Sequence, residues 1–233
     1  MAVPAQVLIV ADGDIDVPLL VEFAASSRRP LVIAADGGAA RAERAGVVPD
    51  IVIGDFDSLA PADRAHLERL GVELRGARSD KDESDMELCL LAALETGTKH
   101  ITIVGALGLV RPEHGLANLL LLADPRTDDV EVIIAGRGSR ISRCGTADGP
   151  GSLDLAGEPG DFVSLFPLAD AVGGVTTTGL RFPLTDETLS LGPSRGLSNE
   201  LLERHARLTT RHGRLLVIHT SRSTADASPT GEI

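Results

Sequence analysis

The chain has few aromatic side chains. Its 233 residues include five phenylalanines, no tyrosine and no tryptophan. Single-stranded nucleic acids are held by stacking bases on aromatic rings, so that mode of binding has almost nothing to work with. Basic residues are in deficit as well: 22 Lys and Arg stand against 34 Asp and Glu, a formal net charge of −12. A surface that neutralises a phosphate backbone needs the opposite balance. An acidic protein still binds phosphates where a divalent cation stands between the two. Cysteine is scarce: Cys89 and Cys144 make neither a disulfide scaffold nor a four-cysteine zinc site. Long apolar runs are missing. The densest, Leu116–Ala123, is broken by Asn118 and falls far short of the ~18–20 residues of a membrane span. No basic region opens the chain, and the apolar stretch Gln6–Val10 is too short for a signal peptide. These absences predict a cytoplasmic protein without a nucleic-acid or membrane partner.

Strand and helix signals alternate through the first part of the chain. Strands are expected at Gln6–Ala11, Leu31–Ala35, Ile51–Ile53, Val72–Leu74, Ile101–Val104 and Val130–Ile134. Helices are expected at Val17–Ala25, Ala39–Ala45, Ala62–Leu70, Asp85–Leu94 and Gly115–Ala123. This βα rhythm predicts an α/β fold: a Rossmann-like three-layer domain whose mostly parallel sheet is covered on both faces. Past about residue 138 the helical period fades. Short β-rich pieces then recur at intervals of about 8–12 residues, the spacing of an all-β sandwich. Arg211-His212-Gly213 lies between two of them and suits a hairpin turn. The expected division is an α/β domain over 1–138, a β-sandwich over 139–219 and a disordered tail over 220–233.

Ligands of an open parallel sheet bind beyond the carboxyl ends of its strands. Asp36-Gly37-Gly38 follows the second expected strand, and Gly54-Asp55-Phe56-Asp57-Ser58 follows the third. Ser79–Asp85 precedes the strongest helix, and Gly105–Gly108 with Arg111–His114 follows the next strand. Acids and glycines thus collect on one rim. Asp55 and Asp57, two apart in an extended segment, point to one side, and paired carboxylates of that kind suit Mg²⁺. The alternative is a solvated acidic turn. Asp82 and Asp85, three apart at a helix start, read by their spacing first as caps of free N–H groups, a role that can coexist with handling an anion or a metal. Lys81 beside them reads as a phosphate ligand or an ordinary surface lysine. Gly37-Gly38 allows close backbone approach or simply turns the chain. His114 is a phosphate contact or a helix-start residue, and Ser198-Asn199 is a loop of directional donors or a cap for a short helix over Asn199–Glu203. Neither a P-loop nor a complete dinucleotide fingerprint occurs.

In order and spacing, several of these segments resemble the thiamine pyrophosphokinase family. They are Ala34–Ala39, Pro49–Ser58, Lys81–Asp85, Gly105–Gly108 with Leu116–Asn118, Gly179–Leu184 and Gly196–Glu200. The resemblance covers nearly the whole chain to about residue 219. It implies a homodimer with active clefts between subunits. The implied reaction is transfer of a pyrophosphoryl group from ATP to the hydroxyl of thiamine, giving thiamine diphosphate and AMP with Mg²⁺. By position it assigns Asp55, Asp57, Asp82 and Asp85 to catalysis and metal binding. It assigns Asp36, Gly37, Gly38, Lys81, Arg111 and His114 to the nucleotide side, and Ser84, Glu113, Ser198 and Asn199 to thiamine. Gly108-Leu109-Val110-Arg111-Pro112-Glu113-His114 departs from the Gly-Gly-Arg-x-Asp-His usual in the family, with Glu113 where Asp is the rule. The missing tryptophan is a second departure. Two alternatives stay open: a pyrophosphokinase for another hydroxymethyl substrate, and a catalytically weak nucleotide- or thiamine-binding protein.

Overall fold

The computed structural model describes residues 3–56, 60–78, 80, 82–108 and 111–226. The chain divides into two compact units, one of residues 1–121 and 129–136 and one of residues 122–128 and 137–233.

The first unit holds β1 (Val7–Val10), α1 (Val17–Ala24), β2 (Leu31–Ala35), α2 (Gly38–Arg44), β3 (Ile51–Gly54), α3 (Pro61–Arg69), β4 (Glu73–Gly76), α4 (Asp85–Glu95), β5 (His100–Val104), α5 (Pro112–Leu120) and β6 (Glu131–Gly136). Its strands lie in the order β6-β5-β1-β2-β3-β4, and each adjacent pair is parallel. Val7–Val10 are buried along their whole length, which is why β1 reads as an uninterrupted apolar run rather than an alternating one. Leu8, Val10, Val32, Ala34 and Val52 pack with Leu20 of α1, Ala39 and Ala42 of α2 and Leu67 of α3. Each fully buried Leu or Val contributes roughly 1.5–3 kcal/mol. Chain order runs outward from β1 through β2, β3 and β4, then resumes on its other side with β5 and β6. The order therefore reverses at β1, and the crevice at the carboxyl ends of β1 and β5 is the switch point of the sheet.

The second unit contains β7 (Ser139–Cys144), β8 (Gly151–Ala156), β9 (Phe162–Pro167), β10 (Ala171–Thr178), β11 (Glu187–Ser190), β12 (Asn199–Glu200), β13 (His205–Thr210), β14 (Leu215–Thr220) and α6 (Arg222–Asp226). Two antiparallel layers form, β12-β9-β14-β7 and β11-β10-β13-β8. Val163, Leu165, Leu215 and Val217 of the first layer share one core with Val172, Val175, Leu189 and Leu208 of the second, which makes the unit a sandwich. Asp128 ties the segment 122–128 to this unit. It accepts two bonds from Arg214, at 3.1 and 2.6 Å, and lies 3.5 Å from Arg143.

Three expectations are corrected. Residues 211–213 do not join a hairpin: β13 pairs with β8 and β10, whereas β14 pairs with β7 and β9, so the chain crosses there from one layer to the other. Asn199 starts no helix; Asn199 and Glu200 pair with Val163 and Phe162 as an edge strand. The tail expected from residue 220 is ordered to residue 226, because Thr220 closes the β14 ladder and α6 comes next. Cys89 and Cys144 are both buried and unpaired with each other. Burial pushes the Cys144 thiol up to about 11, and it raises Cys89 further. Among the described residues no helix is long and apolar enough to cross a membrane.

Candidate active site

The rim at the carboxyl ends of the strands is built on glycine. Asp36 leaves β2 with φ +36° and donates its backbone N–H to the Ile53 carbonyl at 2.9 Å, which ties the end of β2 to β3. A Cβ on Gly54 would stand 2.8 Å from the Asp36 Cβ, so the Asp36 side chain lies directly over the residue preceding Asp55. A Cβ on Gly37 would stand 2.7–2.9 Å from the carboxylate atoms of Asp12, at the end of β1. Gly38 comes down on β1 itself, with the Val10 carbonyl oxygen 2.4 Å from where a Cβ would be. Asp12, Asp36 and Asp55 therefore stand at the ends of three adjacent strands. Arg41 of α2 donates from Nε to Asp12 Oδ1 at 2.7 Å.

Asp12 and Arg41 lie outside the residues expected from the sequence. Asp12-Gly13-Asp14 stands at the end of β1 as Asp36-Gly37-Gly38 stands at the end of β2, and that shared position is the signal that points to Asp12. Arg41, within a helix, carries no comparable signal.

The second group comes from the crossover between β4 and β5. A helix linking parallel strands returns across the sheet, so α4 begins at the same rim. Its cap is Ser84, whose Oγ accepts from the Glu87 N–H at 3.1 Å. Asp82 is not the cap; it lies exposed in the preceding loop, and Asp85 is the first helical residue. The Ser84 hydroxyl still has its proton to donate.

At the start of α5, Arg111, Glu113 and His114 are brought together. Arg111 donates from Nε to Glu113 Oε1 at 2.8 Å, and His114 Nε2 stands 3.9 Å from the same oxygen. Hydrogen bonding to its own backbone N–H, then to Arg111, holds the Glu113 carboxyl below the usual range. All three are exposed, so solvent screens the pairing and it is weak. Helix α5 begins earlier than expected because Pro112 occupies its first turn, where a missing N–H costs nothing. Asn118 donates from Nδ2 to the Ala106 carbonyl at 2.8 Å and fastens the loop after β5.

Ser198 and Asn199 lie in the second unit. Ser198 has φ +57° and donates its N–H to Ser164 Oγ at 3.0 Å. Asn199 is buried, and its amide is engaged on both sides. Oδ1 accepts from the N–H groups of Phe182 and Glu200, and Nδ2 donates to the Phe182 carbonyl. Phe182 is thereby held by its backbone, and its side chain remains 59% exposed. Asp57 and Lys81 lie outside the described residues. Among the described residues no group of three or more His, Cys, Asp or Glu side chains is gathered as a metal site. Mg²⁺ takes one or two carboxylates and completes its shell with water and substrate phosphates, so the all-oxygen donor set around Asp36 and Asp55 fits it chemically.

A doubly wound sheet with carboxylates and close-packed glycines at its switch point, on a chain that also carries a β-sandwich, is the build of a nucleotide-handling α/β enzyme. Comparison with known proteins narrows the class. Residues 24–134 match the model for the thiamin pyrophosphokinase catalytic domain. Residues 152–215 match that for the thiamin pyrophosphokinase vitamin B1 binding domain. The thiamine pyrophosphokinase of Bacillus subtilis (strain 168) is 28% identical over 192 residues, covering 82% of this chain and 87% of its own. Thiamine pyrophosphokinase 1 of Oryza sativa subsp. japonica is 26% identical over 168 residues, 70% of this chain and 62% of its own. The crystal structure of the Bacillus subtilis protein superposes with a TM-score of 0.81 at 27% identity, covering 93% of this chain and 99% of that one. That of the thiamin pyrophosphokinase from Geobacillus thermodenitrificans gives 0.79 at 27% identity, covering 94% and 98%. The chain belongs to the thiamine pyrophosphokinase family.

Proposed function

We propose that the enzyme transfers a pyrophosphoryl group from ATP to the hydroxyl of thiamine, forming thiamine diphosphate and AMP in a Mg²⁺-dependent reaction. The observation that carries this is the placement of Asp36 against Gly54-Asp55, at adjacent strand ends beside the switch point. Asp55 would hold the metal with Asp57, Asp82 and Asp85. When bound, Mg²⁺ neutralises charge on the phosphate oxygens and aligns the attacking hydroxyl with the β-phosphorus.

The chain's own residues do the rest. Arg111 and His114 offer donors to the phosphates, Lys81 adds a further one, and Asp36 with Gly37 and Gly38 forms the nucleotide side. One carboxylate of the rim takes the hydroxyl proton as the oxygen attacks phosphorus, and AMP departs with the electron pair of the broken P–O bond. Thiamine carries a fixed positive charge, so the rim acids that hold the metal also attract the acceptor. In the second unit Ser198 offers its hydroxyl to thiamine, with Ser84 and Glu113 assigned to the same substrate. The exposed face of Phe182 is an aromatic surface for a cationic ring. Asn199 acts through Phe182, because its amide is occupied by that residue's backbone. We further propose a homodimer with active clefts between subunits, which sedimentation velocity tests directly.

Incubation with Mg-ATP and thiamine, with products separated by chromatography, tests the reaction. AMP with thiamine diphosphate is the expected result. ADP would mean single phosphoryl transfer, and binding of both substrates without either product would leave a binding protein. Chelation by EDTA should abolish turnover.

A further inference from the structure

The edge strand next to Ser198 is short and is held by bonds from several parts of the unit. Strand β12 is two residues long and pairs with β9, and on its other side Arg181 donates its N–H to the Glu200 carbonyl at 2.9 Å. Ser198 just before it carries a left-handed φ of +57°, which a non-glycine side chain adopts only where its surroundings impose it. A further tie comes from the C-terminal segment, about 20 residues further along the chain.

The Glu200 carboxylate sits between two arginines, Arg181 at 2.9 Å and Arg222 at 3.2 Å. Arg222 is itself fixed from three further sides. Its backbone N–H donates to Asp161 Oδ1 at 3.0 Å, its Nε donates to the Gly160 carbonyl at 2.7 Å, and its guanidinium lies 4.4 Å from the centre of the Phe162 ring. Asp161 is buried, at 6% exposure. Its Oδ2 accepts from the Glu158 N–H at 3.0 Å and stands 3.0 Å from His219 Nε2. The backbone closes the circuit, because Leu201 donates to the Asp161 carbonyl at 2.9 Å and Gly160 donates to the Leu201 carbonyl at 2.8 Å. Contacts thus run from Asp161 to Arg222, to Glu200, along the chain to Leu201, and back to Asp161. Gly157 leaves room for it: a Cβ there would meet both Asp161 Oδ2 and His219 Cε1 at 2.6 Å.

We propose that Asp161 and Arg222 are positioning residues for thiamine, forming a latch by which the C-terminal segment sets the conformation of Ser198 and the Asn199–Glu200 strand. The proposal rests on the reading that Ser198 faces thiamine. None of the latch residues belongs to the rim of carboxylates, so its loss should fall on acceptor binding rather than on the nucleotide.

Steady-state kinetics of Arg222→Ala, Arg222→Lys, Ser198→Ala and the Ser198→Ala/Arg222→Ala double variant test this. Arg222→Ala should raise KM for thiamine by about fivefold or more, with KM for ATP changed by less than about twofold. Arg222→Lys keeps a cation against Glu200 and should recover part of the loss. In the Ser198→Ala background Arg222→Ala should add little, because both variants disturb the same contact. Hydrogen exchange at the amides of Glu200 and Leu201 should quicken in Arg222→Ala while the core strands stay protected. The latch is overturned if Ser198→Ala raises KM for thiamine and Arg222→Ala does not, an outcome that leaves the thiamine reading of Ser198 standing. If neither variant moves KM for thiamine, that reading fails and the latch with it. Fully multiplicative effects of the two variants, or equal losses in both KM values and kcat with a lowered Tm, would reduce Arg222 to a general structural role.

Discussion

The rim of the first unit and the Ser198–Glu200 segment of the second are built on opposite principles. Asp55 and Asp85 are partly buried and Asp82 is exposed, and the strand ends of the rim are shaped by close-packed glycines. Asn199 is buried with both ends of its amide engaged, and Glu200 is gripped by two arginines. Charge chemistry needs oxygens that a cation and water can reach. Recognition of a fixed shape needs donors and rings that do not move. Substitutions of the rim carboxylates should therefore damage turnover while sparing stability. Substitutions in the pinned segment should damage stability and acceptor binding together.

The sharpest break is Asp55→Asn. It keeps the shape of the side chain and removes the charge, so kcat should fall by about 10²–10³-fold with Tm close to wild type. AMP release measured over a Mg²⁺ series checks this, and near-normal turnover at saturating Mg²⁺ would remove the rim from the chemistry.

Gly38→Ala separates the rim's scaffold from its charges. The new methyl group would stand 2.4 Å from the Val10 carbonyl oxygen, a backbone atom in the most buried strand, and α2 must move to admit it. A loss of roughly 2–3 kcal/mol is expected, read from the denaturant midpoint, with activity falling as the strand ends separate. Asn199→Ala is the counterpart in the second unit. It removes the partner of the Phe182 N–H and carbonyl at a partly buried position, which costs about 1 kcal/mol. KM for thiamine should rise as the Phe182 backbone loses its tether, while KM for ATP stays put. An Asn199→Ala protein of wild-type stability would show that the amide bridge is replaceable by water.

The two units also differ in how readily they are read from the residues. In the first, every strand but β4 is an apolar run closed by Gly or Asp, and successive strands are neighbours in space except where the chain crosses from β4 to β5, so local pattern carries most of the reading. Its misreadings are local too: Ser84 and Glu87 form the S-x-x-E signature of a capping box, and that signal identifies Ser84 rather than Asp82 as the cap of α4. In the second unit the pairings are distant. Strand β14 joins β7 and β9, which lie some tens of residues back, and Arg211-His212-Gly213 announces a change of direction without saying which layer the next strand enters. Asn199 favours a helix cap by its nature, yet its amide is claimed by Phe182, 17 residues away. The latch of Asp161, Arg222 and Glu200 has no local signal at all.

The smallest expected effect concerns pH and bears on the pinned side of the comparison. Burial by itself would raise the Asp161 pKa, but the N–H groups of Glu158 and Arg222 and the ring of His219 outweigh it and hold the carboxyl below its ordinary 3.8. A carboxyl whose pKa is lower in the folded state contributes stability that is complete above the unfolded value and is lost as pH falls through the folded one. The contribution should therefore be intact from neutral pH down to about 4 and decline below it. Asp161→Asn removes this linkage and also turns one acceptor into a donor facing backbone N–H groups. Its unfolding free energy should lie below wild type at pH 7, and the gap should narrow as pH drops below about 4. Parallel wild-type and Asp161→Asn curves down to about pH 2.5 would show that the ionised form of Asp161 does not hold the C-terminal segment in place.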